Sequence, residues 1–162
     1  MDTKTNFQKV QEFHQAFDMP SGGPIRPNVI QDDPNLAKLR LSLITEEVKE
    51  LVEAMADNNM KEIRDALADI LYVVYGTADA FGIDADADFA IVHNSNMSKL
   101  CSSEEEAKLT VADYEAKYQA KTSPYDSPYY YHLPQFNKWV VKNRSTGKVL
   151  KNINYQKVEW KD

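Results

Sequence analysis

With a single cysteine, Cys101, the chain has no partner for an intrachain disulfide, which points to a reducing interior. Long apolar runs are missing as well: none approaches the roughly 20 residues that a bilayer-spanning helix needs. The opening stretch, MDTKTNFQKVQEF, has no apolar signal-peptide core. These absences set the expectation of a cytoplasmic protein (host cytoplasm if the chain is viral) with no membrane partner. Positive charge is scarce in the first part of the chain. Residues 1–103 carry 9 basic against 17 acidic groups, and residues 104–162 carry 10 against 8. A surface that grips duplex phosphates is basic, so no nucleic-acid polymer is expected as a partner. No internal repeat, low-complexity tract, glycine-rich phosphate loop, Ser/His/Asp arrangement or cysteine-based site is visible.

What is present suits a globular chain: 162 residues, 43% apolar and 27% charged, enough for one domain or one domain with an appendage. Phe7, Val10, His14 and Phe17 recur at helical spacing and predict a first helix over about 5–17. MPSGGPIRPNV, with two glycines and three prolines, reads as a loop. A wide apolar arc from Leu36 to Met55 predicts a second helix over about 34–56, closed by the turn residues DNN. Further helices are expected over about 60–81, 85–99 and 102–119. KWVVKN and KVLKNINY, separated by RSTG, read as a β-hairpin. The expected class is mainly α, with an all-α core over 1–100 and an extension over 101–162 holding a helix, a turn-rich segment and a small C-terminal β-hairpin.

Two helices carry acids on a face that should be apolar. Leu43, Glu47, Glu50 and Ala54 form one helical stripe, with Glu46 at its edge. Glu62, Ala66, Asp69, Val73 and Gly76 form another, with Asp65 on its wing. A short turn near Asn58 makes the two helices antiparallel and sets Asp69 level with Glu47 and Glu50, while Asp65 and Glu62 lie nearer the turn. Crowded carboxylates must either take up protons or share a cation. An all-oxygen donor set without imidazole or thiolate favours Mg²⁺ or Mn²⁺. The plain alternative is a solvated acidic face, although neither Glu46 nor Glu50 has a basic residue four positions on. A di-iron bundle is excluded because no histidine follows a glutamate by three. DADADF imitates the start of an EF-hand, but Phe89 stands where the loop needs glycine and Ser95 where it needs glutamate.

EEVKE followed by DALADILYVVYGTADAFGID resembles the all-α nucleoside triphosphate pyrophosphohydrolases, which include the MazG enzymes, the dimeric dUTPases and the phosphoribosyl-ATP pyrophosphohydrolases. FHQAFDMP, VHNSNMSK and GKVLKNINY are similar to stretches of the phosphoribosyl-ATP-pyrophosphohydrolase-like branch. The resemblance implies a MazG-like helical bundle completed by dimerisation, as a homodimer or a dimer of dimers. It also implies Mg²⁺, with Mn²⁺ able to substitute, bound through Glu-Glu-x-x-Glu and Glu-x-x-Asp. Glu46, Glu47 and Glu50 match the first motif. Asp69 matches the aspartate of the second, but Ala66 stands at its glutamate, so Asp65 or Glu62 is expected to replace that ligand. Hydrolysis would release a monophosphate and pyrophosphate, with Glu47 or Glu46 taking the proton of the attacking water. Asn96 and Lys99 match positions that contact substrate phosphate, while Tyr72 is read as a base-stacking ring or a core tyrosine and His93 as a structural or pocket-edge histidine. The Phe13, His14 and Phe17 side chains pack on the bundle or wall a base pocket. Substrates in view are dGTP, GTP or dATP, and dUTP, with phosphoribosyl-ATP the weakest. The rival reading is a non-catalytic nucleotide-binding or oligomerising bundle of the same fold.

Overall fold

The computed structural model describes residues 3–160. It forms two compact units, Met1–Asp88 and Phe89–Asp162. Six helices and one two-stranded sheet make up the described residues: α1 (Asn6–Ala16), α2 (Val29–Asp32), α3 (Pro34–Ala56), α4 (Met60–Ala80), α5 (Ala85–Met97), α6 (Glu104–Gln119), β1 (Pro128–Leu133) and β2 (Lys138–Asn143). The mainly α class with a small C-terminal antiparallel sheet is the one expected, and the five long helices end within two residues of their expected limits. The boundary between them along the chain, Asp88 to Phe89, falls within α5. No single helix among the described residues is long and apolar enough to cross a membrane.

In the first unit, local chemistry starts α1, α3 and α4. Thr5 and Gln8 form a reciprocal capping box on α1. Asp33 accepts from the Leu36 amide at 3.2 Å, and Pro34 occupies the first turn of α3. Asn59 caps α4, just after Asn58 turns the chain with a φ of 51°. The helices α3 and α4 pack along their length as an antiparallel hairpin, α1 lies on α4, and α2, a single turn absent from the sequence reading, lies on α3. Few large side chains are buried here: Phe7, Val10 and Val29 are covered, whereas Val52 and Met55 stay 62% and 63% exposed. The apolar arc of α3 is therefore only partly used within one chain.

Gly82 ends α4 at φ 73°, and a Cβ there would run into the Pro24 carbonyl. The adjacent strap is held by the Arg26 amide donating to the Phe81 carbonyl at 2.9 Å. Only glycine allows both the left-handed turn and this approach.

The second unit corrects the expected hairpin. Strands β1 and β2 pair antiparallel, with Tyr130 opposite Val141 and Leu133 opposite Lys138. So β1 comes from the stretch read as turn-rich, while KVLKNINY contributes one bridge, Val149 with Lys142, and no strand. The far edge of β2 explains this. Trp139 is already paired there with Cys101, through amide-to-carbonyl bonds of 2.8 and 2.9 Å, so the tail can only close against Val141 and Asn143. Pro128 is tolerated because it begins its strand. Val141, Cys101, Ala107 and Leu150 form the core of this unit, flanked by Tyr114, Tyr130 and Trp139.

Replacing Gly82 by alanine should destabilise the protein by roughly 2 kcal/mol or more, because strain and a backbone clash coincide. Gly147, also at positive φ but with open space around it, should cost about 1 kcal/mol. Paired urea melts of the two alanine variants check the ranking.

Candidate functional site

Folding α3 against α4 brings the two acidic stripes together. Glu47 lies where they meet, and its carboxyl is pushed above the ordinary glutamate range, first by burial and then by Glu50, Asp69, Glu46 and Asp65. Glu62 sits nearer the turn and lines a hollow of about 310 Å³ with Glu50 and Asp65. Ala54 and Ala66, both buried, form part of the same hollow. Ala66 thus places a methyl group at the position of the expected family glutamate, with Asp65 immediately before it and Glu62 one turn earlier in the chain.

Among the described residues, no cation pairs with the five acids at and around Glu47. Lys49 pairs with Glu53 at 3.6 Å and Lys61 lies 3.9 Å from Glu62, while Glu46, Glu47, Glu50, Asp65 and Asp69 have no ion pair. No three His, Cys, Asp or Glu side chains among the described residues converge closely enough to grip a metal as they stand. Mutual repulsion gives a physical reason: uncompensated carboxylates choose rotamers that hold them apart. The donor chemistry fits a hard divalent cation, because every group is a carboxylate oxygen and Glu47 already registers the charge of four neighbours.

Tyr72 is exposed on α4 and meets the edge of Phe13 at 5.6 Å, and Phe13 in turn lies 4.5 Å from Phe17. The three rings form an aromatic ledge on the first unit. His93, Asn96 and Lys99 belong to the second unit. His93 is exposed, and Lys99 donates to the Asn96 side-chain oxygen at 2.7 Å, so amide and ammonium are presented together.

A second polar centre, not found from the sequence, lies at the other end of the hairpin. Asp79 is only 3% exposed, yet it accepts from His14 Nδ1 at 2.7 Å, Gln11 Nε2 at 3.0 Å and the Gly22 amide at 3.1 Å. Burial alone would raise its pKa, but these hydrogen bonds outweigh burial and hold it below the usual aspartate value. With its proton on Nδ1, His14 can also accept on Nε2 from Arg40 Nη2, 3.4 Å away. Arg40 is 4% exposed, and its buried Nε has no hydrogen-bond partner. Burial lowers the arginine's pKa and the Asp79 charge counteracts that. Gly76 makes room for the arrangement: a Cβ there would lie 3.1 Å from His14 Nε2 and 3.2 Å from Arg40 Nη1. Two cues were present in the sequence. Arg40 interrupts the apolar arc between Leu36 and Ile44, and Asp79 follows Gly76 by three on α4. His14, by contrast, was read only as packing.

The helical hairpin and its facing carboxylates define a protein of the all-α nucleoside triphosphate pyrophosphohydrolase class. The phosphoribosyl-ATP pyrophosphohydrolase family model matches residues 10–96, and the chain belongs to that family. The match includes both acidic stripes and the Asp79 network. Membership supports a nucleotide pyrophosphohydrolase type of activity. A relative from Acanthamoeba polyphaga mimivirus, an uncharacterised protein, is 50% identical over 82 residues, covering 51% of this chain and 33% of its own length. The chain thus spans about a third of that relative.

The raised proton affinity of Glu47 fixes the sign of a pH effect. Its favourable contribution is complete below the ordinary glutamate range and is lost as pH rises through the raised value. In EDTA, Glu47→Gln should melt above the wild type near about pH 7, and the gap should close towards about pH 4. Mg²⁺ should raise the melting temperature of the wild type more than that of the variant. A gap independent of pH would show that Glu47 is not coupled to its neighbours.

Proposed function

We propose that this protein hydrolyses a nucleoside triphosphate between its α and β phosphates, releasing a monophosphate and pyrophosphate. The observation that carries this reading is the packing of α3 against α4 in a pyrophosphohydrolase-family hairpin, which brings Glu46, Glu47 and Glu50 towards Asp65 and Asp69 with no basic partner among the described residues. Glu46, Glu47, Glu50 and Asp69 would hold Mg²⁺, or Mn²⁺ in its place, with Asp65 and Glu62 completing the set beside Ala66. Such an ion, when bound, neutralises triphosphate oxygens and lowers the pKa of a coordinated water. Glu47, where it is not fully used in holding the ion, would take the proton of the attacking water. Glu46, exposed at the edge of the same stripe, is the alternative base. Asn96 and Lys99 offer an amide and an ammonium for phosphate oxygens, and Tyr72 offers a ring face. His93 would stand at the margin of the substrate.

A second copy of the chain would cover the apolar side chains that one hairpin leaves open, including Val48, Val52 and Met55 on α3 and Leu67 and Leu71 on α4. The protein is therefore expected to sediment as a dimer or a dimer of dimers. Val52→Glu should shift it towards the monomer in sedimentation velocity runs.

The deciding assay measures pyrophosphate release from ribo- and deoxynucleoside triphosphates and phosphoribosyl-ATP, with Mg²⁺ or Mn²⁺. Glu50→Gln should lower turnover by at least about a hundredfold while preserving or raising the melting temperature in metal-free buffer. The buried methyl of Ala66 favours one rival, a nucleotide-binding bundle without catalysis. Silence across the whole panel would select that rival.

A further inference from the structure

The scarcity of positive charge that argues against a nucleic-acid partner belongs to the first part of the chain. Residues 127–158 reverse it, with six lysines and arginines and no aspartate or glutamate. This stretch contains the whole β1–β2 sheet of the second unit. Strand alternation gives that sheet two unlike faces. On one, Tyr130 and Val141 pack with Ala107 of α6, and the Tyr130 hydroxyl donates to Glu104 at 3.1 Å. The acidic start of α6 therefore meets the covered face.

The other face carries Tyr129, Tyr131 and Lys142. Arg144 joins them, with its guanidinium carbon 4.3 Å from the centre of the Tyr129 ring. The two tyrosine rings lie 5.9 Å apart and within 22° of parallel, and Lys142 Nζ stands 5.6 Å from the centre of Tyr131. Rings and cations thus share one face, each cation held against a ring. The turn behind them is braced. The Arg144 amide donates to the Ser127 carbonyl at 2.8 Å, and the buried Asn143 side-chain amide ties Asp126 to Thr146 at 3.1 and 3.2 Å. Asp126, the acid just before the basic run, is occupied by this turn.

Cations alone would suit any polyanion, and the rings narrow the choice. Aromatic faces take up flat bases, while lysine and arginine take up phosphates. Tyr129 and Tyr131 occupy successive rows on their side of the sheet, about 7 Å apart, which is twice the rise of a stacked nucleic-acid strand. Bases lying on those rows must be drawn apart from each other, which a paired duplex does not permit. We propose that this face of the β1–β2 sheet binds single-stranded nucleic acid, with Tyr131 stacking a base and Lys142 and Arg144 neutralising phosphates. Tyr131 is the leading ring because it is 36% exposed, whereas Tyr129 is half-buried. The site stands apart from the pyrophosphohydrolase reading, since none of its residues belongs to the acidic hairpin.

Fluorescence anisotropy of a labelled oligothymidylate of about 15 nucleotides tests this on the full chain, with no triphosphate present. At about 50 mM salt the strand should bind, and a duplex of the same length should bind at least about fivefold more weakly. Tyr131→Ala should weaken binding of the strand by about tenfold and leave its salt dependence unchanged. Arg144→Gln should also weaken it, and should lower the slope of log affinity against log salt by about 0.7. Arg144 is exposed, so this variant carries the test should Tyr131→Ala fail to fold by circular dichroism. No binding of the strand, equal binding of the duplex, or wild-type affinity in Arg144→Gln would each overturn the proposal. So would a folded Tyr131→Ala that binds as the wild type does. Displacement of the strand by inorganic polyphosphate at equal phosphate concentration would also overturn it, leaving a general polyanion surface. Binding to phosphatidylserine vesicles in place of the strand would overturn it in favour of a membrane.

Discussion

The Asp79 carboxylate, buried where four segments meet, is the constraint on which the first unit depends. Through His14 and Gln11 it binds α1 to α4, through the Gly22 amide it fixes the strap between α1 and α2, and across His14 it faces the Arg40 charge on α3. Removing one partner from such a buried charge arrangement costs about 3–5 kcal/mol, because the remaining charge is left uncompensated. The apolar core beside it is small, so this network takes on much of the orientation that large side chains would otherwise provide. The angle and depth at which α3 meets α4 are therefore set at one end by polar contacts that admit little variation. The spacing of the acids at the other end follows from it.

The two ends of the hairpin treat charge in opposite ways. At the Asp79 end, a buried acid is supplied with three donors and a nearby cation, and its pKa falls. At the Glu47 end, an acid is surrounded by other acids without a cation, and its pKa rises. A fold selected for stability alone would not leave the second arrangement in place, since exchanging one glutamate for glutamine would relieve it. Local conflict of this kind is a mark of a functional site. It also explains why the cluster is crowded without forming a finished cage: the helices bring the carboxylates near, and repulsion keeps the last ångströms open.

The helical part of this architecture was readable because it rests on local rules. Caps at Thr5, Asp33, Asn59 and Ser103, and the 3.6-residue period of the apolar arcs, set the helix limits almost to the residue. The meeting of Glu47 with Asp69 followed from the turn at Asn58 and simple antiparallel counting. The Asp79 network was not readable in the same way. Its members come from four segments, and although Gln11 and His14 share a face of α1, no spacing links that face to Gly22, Arg40 and Asp79. The hairpin failed for a different reason. KVLKNINY has a strand-like pattern, but the edge it needed is shared with Cys101, a competition decided by tertiary structure. Tyr129, Tyr130 and Tyr131 have high strand propensity, yet prolines on both sides disguised them as a turn.

The separation of the two charged centres also constrains what the face between them can hold. A ligand lying along it meets carboxylates towards the turn and apolar walls towards the open end, where the Arg40 guanidinium is buried against His14. An anionic group alone would be repelled from the acids unless it arrived with a cation, and an apolar ring alone would gain nothing from them. A molecule with a cation-bound polyphosphate at one end and a flat heterocycle at the other satisfies both. Reversing it would put phosphate oxygens against Ile44 and Phe81 and a base among acids, at a desolvation cost on the phosphates of several kcal/mol.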